Sequence, residues 1–169
     1  DIYINCVLIG LMFLGSLGFF VLENLVEWIH TRKKSKIQVE SSLVLCVSFL
    51  IVGLGILLIK VFDSQMTILQ SLFCVITARN TGLFTVEIGN LSQMSQFLIA
   101  IMMFIGGGPG SNAGGIRVVV FAILILTAIS NLRNREEVVV FYRSIDNKTI
   151  RKATTIFVID LLIVFIGML

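Results

Sequence analysis

The sequence predicts an all-α integral membrane protein in which one membrane segment is broken midway. Three observations carry this. Hydrophobic residues make up 57% of the chain and mean hydropathy is +1.02, a membrane composition rather than a soluble one. The charges are clustered: nineteen uncharged residues separate Glu40 from Lys60, and twenty-one separate Asp1 from Glu23. Finally, residues 91–132 carry one formal charge, Arg117. As a straight helix such a run would reach roughly 60 Å, about twice a bilayer core. It must therefore break. The six glycines and one proline between Gly106 and Gly115 mark the place. Irregular backbone at membrane depth is tolerated only inside protein or around a watery cavity, so the break points to an ion or solute pathway.

The elements follow from the charge map. Residues 2–29 read as a span ending in the basic cluster Arg32, Lys33, Lys34 and Lys36. Short basic loops mark the cytoplasmic side. Residues 41–59 return outward, to Lys60 and Asp63. Residues 65–78 are apolar at helical spacing through Leu69, Leu72, Phe73 and Ile76, but about 21 Å of helix is too short to span. Both neighbours are outside, so this piece dips in and returns along the polar stretch 77–85. The broken segment 91–132 then goes inward to a second basic cluster, Arg133, Arg135, Arg143, Lys148, Arg151 and Lys152. Residues 153–169 begin another outward span. With no initiator methionine and no basic leader, the first run reads as a true span, and the chain as a piece of a longer protein.

This arrangement suits a cation. A half-helix entering from outside aims its C-terminus, with unpaired carbonyls and partial negative charge, at the membrane centre. The extended return can offer carbonyl oxygens in place of an ion's water shell. Gly82 can adopt backbone angles that such a row needs; an ordinary turn is its plainer explanation.

The stretch TARNTGLFTV (residues 77–86), followed by MFIGGGPGSNAGGIR (residues 103–117), resembles the Trk/Ktr/HKT superfamily of potassium transporters, in particular the bacterial KtrB and TrkH membrane subunits. Those carry a pattern like R-T-A-G-F-N-T and then M-F-I-G-x-x-P-G-S-T-A-G-G-I-K. IGLMFLGSLGFFVLENL near the start is similar to an inner helix of the preceding repeat. Here Asn80, Thr81, Leu83, Phe84, Asn112 and Arg117 depart from the pattern.

The resemblance implies an M1–P-loop–M2 potassium-channel-like repeat with a broken M2 helix. Residues 1–36 would be the inner helix of the preceding repeat and a cytoplasmic basic loop. Residues 37–135 would be a complete repeat: M1 41–61, pore helix 65–78, filter 79–85, and M2 91–132 broken at 106–115. Residues 136–169 would be a cytoplasmic loop and the first helix of the next repeat. Ion-binding filter positions would be Asn80, Thr81, Gly82 and Leu83, with K⁺ at the Gly82 backbone. The gate would be Gly106, Gly107, Gly108, Pro109, Gly110, Ser111, Asn112, Ala113, Gly114 and Gly115, with Arg117. The implied activity is K⁺ uptake across the plasma membrane by a multi-pass protein, with Na⁺ a candidate second ion and no covalent cofactor. The implied partners are the remaining repeats, a second copy in a homodimer, cytosolic nucleotide-binding regulatory subunits of the KtrA/TrkA kind, and the lipid bilayer.

Other residues carry weaker signals. Arg79 reads mainly as a tie to pore-loop carbonyls. Glu87 could concentrate cations at the outer mouth or be a solvated loop acid. Asp160, about 12 Å into the last span, is a candidate partner for Arg117, since buried charges in membranes need one. Cys6, Cys46 and Cys74 read as buried small hydrophobes. The glycine loop lacks the Gly-Lys-Ser/Thr ending of a phosphate-binding loop. No Ser/His/acid set or His/Cys cluster points to an enzyme, and nothing points to nucleic acid. Two rivals stand beside the channel reading. One is a secondary transporter with a midplane site, which calls for a second broken segment, and the sequence shows none. The other is a non-conducting scaffold subunit.

Overall fold

The computed structural model describes residues 2–31, 39–83, 85–133, 139–140 and 143–168. The helices within them are α1 Ile2–Leu17, α2 Phe19–Thr31, α3 Val39–Phe62, α4 Ile68–Asn80, α5 Gln93–Phe104, α6 Val118–Leu132 and α7 Asn147–Met168. A minimal antiparallel hairpin, β1 Val139–Val140 and β2 Arg143–Ser144, pairs Val139 with Ser144 and Val140 with Arg143. The chain is thus helical, as an all-α membrane protein requires. Arg32, Lys33, Lys34, Lys36 and Arg135 of the two basic clusters lie outside the described residues, as do Phe84 and Leu169.

Helix α3 has 24 residues, with Glu40 in its first turn and Lys60 in its last, charges that complement the helix dipole. Among the described residues it is the one unbroken helix long and apolar enough to cross a membrane. Ser41, Ser48 and Gly55, seven residues apart, are all buried on it, and this spacing returns to one face of a helix. A Cβ at Gly55 would come within 2.9 Å of Val75 on α4. The missing side chain is what lets the two helices close up, as small residues do in membranes.

Helix α4 sits at the centre of the core. Its residues from Phe73 to Arg79 are all buried, packed with Ile51, Val52 and Ile59 of α3, Ile99 and Met102 of α5, and Ile9 and Met12 of α1. It begins three residues later than the spacing predicts. Thr67 stands at the cap position, and its N–H donates to Gln70 Oε1 at 2.9 Å, one half of a reciprocal cap. A second cluster joins α6 to α7 through Ile116, Val120, Ile123 and Ala153. The rings of Phe104 and Phe157 meet edge-on beside it, 6.3 Å apart.

Two expectations are corrected. The predicted single span over 2–29 is two helices, α1 and α2, bent by 100° at Gly18. And only Cys74 is buried; Cys6 and Cys46 are exposed. Leu11, Leu14, Leu50, Leu57, Phe97 and Ile163 are exposed as well, an apolar surface of the kind that lipid or further protein covers.

The ends of α3 and α5 are tied by Asp63. Its carboxylate accepts from the Ser92 N–H at 3.3 Å and from Ser92 Oγ at 2.9 Å. Hydrogen bonding from the Ser95 side chain, helped by Ser92, holds its pKa below the ordinary 3.8 against desolvation, the second-largest influence. A carboxyl with a depressed folded pKa stabilises fully above its unfolded value and loses that contribution as pH falls through the folded one. Acidifying the full-length protein below pH 3.8 is therefore expected to lower its melting temperature more than that of Asp63→Asn. Parallel pH profiles of the two proteins would show that the tie contributes nothing.

Candidate functional site

The site is built where α4 stops and where the α5–α6 segment breaks. At the end of α4, Thr77 O accepts from both the Thr81 and Gly82 N–H groups at 3.0 Å. Gly82 leaves the helix with φ +69°, a left-handed conformation that costs glycine little. Thr77 Oγ1 donates to Leu83 O at 2.8 Å. Asn80 Nδ2 donates to Met12 O at 2.8 Å, and Thr81 Oγ1 lies 2.9 Å from Met12 Sδ. The exit from α4 is thus moored to α1. The predicted non-helical stretch 79–85 is shorter than expected: Arg79 and Asn80 belong to the last helical turn. Thr81, Gly82 and Leu83 are exposed beyond it.

The break lies between α5 and α6, as the glycines predict. Its two ends run side by side through a parallel bridge between Ile105 and Ile116. Gly106 N–H donates to Ile116 O and Ile116 N–H to Phe104 O, both at 2.9 Å, and Val118 N–H donates to Gly107 O at 3.0 Å. The Ile105 and Gly106 carbonyls go to a side chain: Arg79 Nε lies 3.4 Å from the first and Nη2 2.8 Å from the second. Arg79 does tie down carbonyls, but those of the break, not those beyond α4. Gly108 O accepts from Ser111 N–H at 3.2 Å. Every carbonyl from Phe104 to Gly108 has a partner, as buried irregular backbone requires.

The tip of the loop rests on the bend between α1 and α2. Gly108 N–H donates to Ser16 O at 2.8 Å, and Phe19 N–H donates to Gly110 O at 3.3 Å. Bending at Gly18 (φ +87°) takes Ser16 O out of the regular helix, and the loop supplies its donor. Neither side could carry a side chain. A Cβ at Gly18 would overlap the Pro109 carbonyl, and one at Gly108 would overlap the Leu17 carbonyl. Sequence reasoning missed this partnership, and with it Met12, Ser16, Gly18 and Thr77. The run Gly15-Ser16-Leu17-Gly18 was the available signal.

Arg117 occupies the N-cap position of α6, where its charge adds to the positive end of the helix dipole. It lines a cavity of about 520 Å³ with Glu40, Pro109, Gly115, Lys152 and Asp160. The expected pairing of Arg117 with Asp160 is therefore reduced to a shared cavity; among the described residues no direct ion pair joins them. A neighbouring cavity of about 380 Å³ is lined by Glu23, Glu27 and Glu40 beside Pro109. Glu87 sits on the exposed α4–α5 connection and accepts from Asn90 Nδ2 at 3.2 Å.

A short buried helix beside a hydrogen-bonded break in an apolar helical chain defines a helical membrane protein built around irregular backbone. The chain belongs to the TrkH family of cation transport proteins, whose profile matches residues 42–169. It is 27% identical to the Ktr system potassium uptake protein B of Bacillus subtilis, over 99% of this chain and 39% of that protein. It is 27% identical to the protein of the same name from Vibrio alginolyticus over 95% of this chain and 37% of that protein. It is 25% identical to the potassium/sodium uptake protein NtpJ of Enterococcus hirae, again over 95% and 37%. The chain thus spans about two fifths of the length of these relatives.

Gly18→Ala in the full-length protein is expected to cost about 1–3 kcal/mol, from the positive φ and the overlap with Pro109. Gly10→Ala on the same α1, where a Cβ meets nothing within 4 Å, should be neutral or slightly stabilising. Thermal unfolding in detergent compares them; equal shifts would mean that the loop does not rest on the bend.

Proposed function

We propose that this chain is the part of a potassium-uptake protein in which a filter segment and a movable barrier meet. Residues 37–135 act as one M1–P–M2 repeat: α3 is M1, α4 the pore helix, residues 81–85 the return, and α5 and α6 the two halves of M2. The observation that carries the reading is that every carbonyl at the buried neck of the break, from Phe104 to Gly108, has a hydrogen-bond partner. A kink formed by accident would leave carbonyls unpartnered in lipid at several kcal/mol each. This one is built, and it adjoins the end of a buried half-helix. The relatives named for potassium uptake support the choice of ion.

In this reading K⁺ reaches the end of α4, where helix carbonyls carry partial negative charge. It exchanges water for backbone oxygens around Thr81, Gly82 and Leu83, with Asn80 fixing that turn to α1. Gly106 to Gly115 lie across the path beneath. Arg117 and the N-terminus of α6 add positive charge there, so a closed loop opposes a cation by both bulk and field, and its withdrawal removes both. The remaining repeats complete the pore. A second copy and cytosolic nucleotide-binding subunits, docking through the basic loops, set the loop's position.

One observation favours the transporter rival. The bend at Gly18 is a second broken segment, and the two breaks meet. An alternating mechanism would rock them together, and its flux would saturate at turnover rates even with the loop removed. Deleting residues 109–113 from the full-length protein is expected to raise passive K⁺ flux in liposomes several-fold, while Gly82→Ser lowers K⁺ over Na⁺ discrimination. If the deletion inserts and conducts no better than wild type, the loop is only a packing kink. Unaltered selectivity in Gly82→Ser would remove that glycine from the ion path.

A further inference from the structure

Arg79 is the least expected residue of the site. It is 3% exposed, in the last turn of a helix at the centre of the core, and among the described residues no carboxylate pairs with it. A buried guanidinium is tolerated only when its donors are satisfied by strong acceptors. Here the acceptors are Ile105 O and Gly106 O, the first carbonyls beyond α5, where the partial negative charge of that helix collects. Arginine suits the task because its planar fork presents two donors in fixed relation.

What matters is where the two carbonyls lie and what else leaves the same turn of α4. Ile105 and Gly106 form the neck of the loop, opposite Ile116. Two residues before Arg79, Thr77 holds Leu83 O; one residue after it, Asn80 holds Met12 O. A single helical turn thus grips the return segment, the bent α1 and the loop neck. The bonds at the loop tip, to Ser16 and Phe19, are backbone bonds that a moving loop can break and remake. The bond at the neck is charge-assisted, about twice as strong as a neutral one.

We propose that Arg79 is the positioning residue through which α4 sets the rest position of the glycine-rich loop, an inference that rests on the reading of that loop as the barrier. The arginine keeps the neck fixed to the turn that presents the filter, so that the tip alone swings. Displacing the end of α4 displaces the loop, and the coupling acts equally in both directions.

The test uses the full-length transporter with its native cysteines, Cys6 and Cys46 among them, replaced by Ser and carrying Ser111→Cys, with the rate of thiol labelling from the cytoplasmic side as the measure of loop position. Arg79→Gln is expected to raise that rate at least about tenfold, the effect of losing one charge-assisted hydrogen bond in a two-state equilibrium. Arg79→Lys, which keeps the charge and one donor, should recover part of the difference. K⁺ flux should rise in Arg79→Gln, and that substitution should add nothing once residues 109–113 are deleted, because residues acting through one element are non-additive. Wild-type labelling in Arg79→Gln, or an undiminished flux effect in the deletion background, would overturn the positioning role. Should Arg79→Gln fail to insert, Arg79→Lys decides, and labelling unchanged from wild type counts against the proposal. The deletion by itself separates the two claims: if it leaves flux unchanged the barrier reading fails, whereas raised flux with normal labelling of Arg79→Gln removes only the arginine.

Discussion

Backbone that leaves a helix where no water can reach it must find its hydrogen-bond partners within the protein, and most of this structure follows from that constraint. The break between α5 and α6 finds them in three places: in its own two ends, bridged at Ile105 and Ile116; in Arg79; and in the loosened carbonyl of Ser16. The third source requires α1 to be broken as well. The two interruptions are therefore one feature, each supplying what the other lacks. Glycine on both sides permits it, because the groups that bond are main-chain atoms and any side chain would hold them apart.

The same region concentrates opposing fields. The C-termini of α4 and α5 bring partial negative charge, and the N-terminus of α6 brings positive charge. Two arginines are placed within this pattern. Arg79 is shut in, its charge spent on carbonyls at the α5 end. Arg117 is exposed at the positive end of α6, in a cavity that also holds Lys152, Asp160 and Glu40. Burial makes the first a fastener, and exposure leaves the second facing a cavity. They are the same residue type at different solvation, and the α5–α6 break lies between them.

Much of this was legible in the residues. The length of the 91–132 run demanded an interruption, and the glycines located it to within a residue or two. The short helix α4 was visible because it is apolar but too short to span. The bend at Gly18 was not visible: the charge-free run 2–22, about 32 Å as a helix, matches a bilayer core, and one glycine in an apolar helix is usually tolerated. Its cause, the loop tip, lies some ninety positions away. The partner of Arg79 was misjudged for the same reason. A reading along the chain offered nearby carbonyls, whereas folding brought up those of Ile105 and Gly106. The helical state of Arg79 and Asn80 came from tertiary mooring at Met12, which local preference does not contain.

The bond between Ser16 and Gly108 also bears on how the chain is made. The N-terminal partner enters the membrane first, and its counterpart follows on the order of ten seconds later at ordinary rates of synthesis. In that interval a bent α1–α2 would hold unpartnered carbonyls in lipid, whereas a straight helix through Gly18 would satisfy them internally. The bend therefore depends on the loop: without Gly108 to satisfy the Ser16 carbonyl, a straight helix would be the better-bonded conformation of this segment.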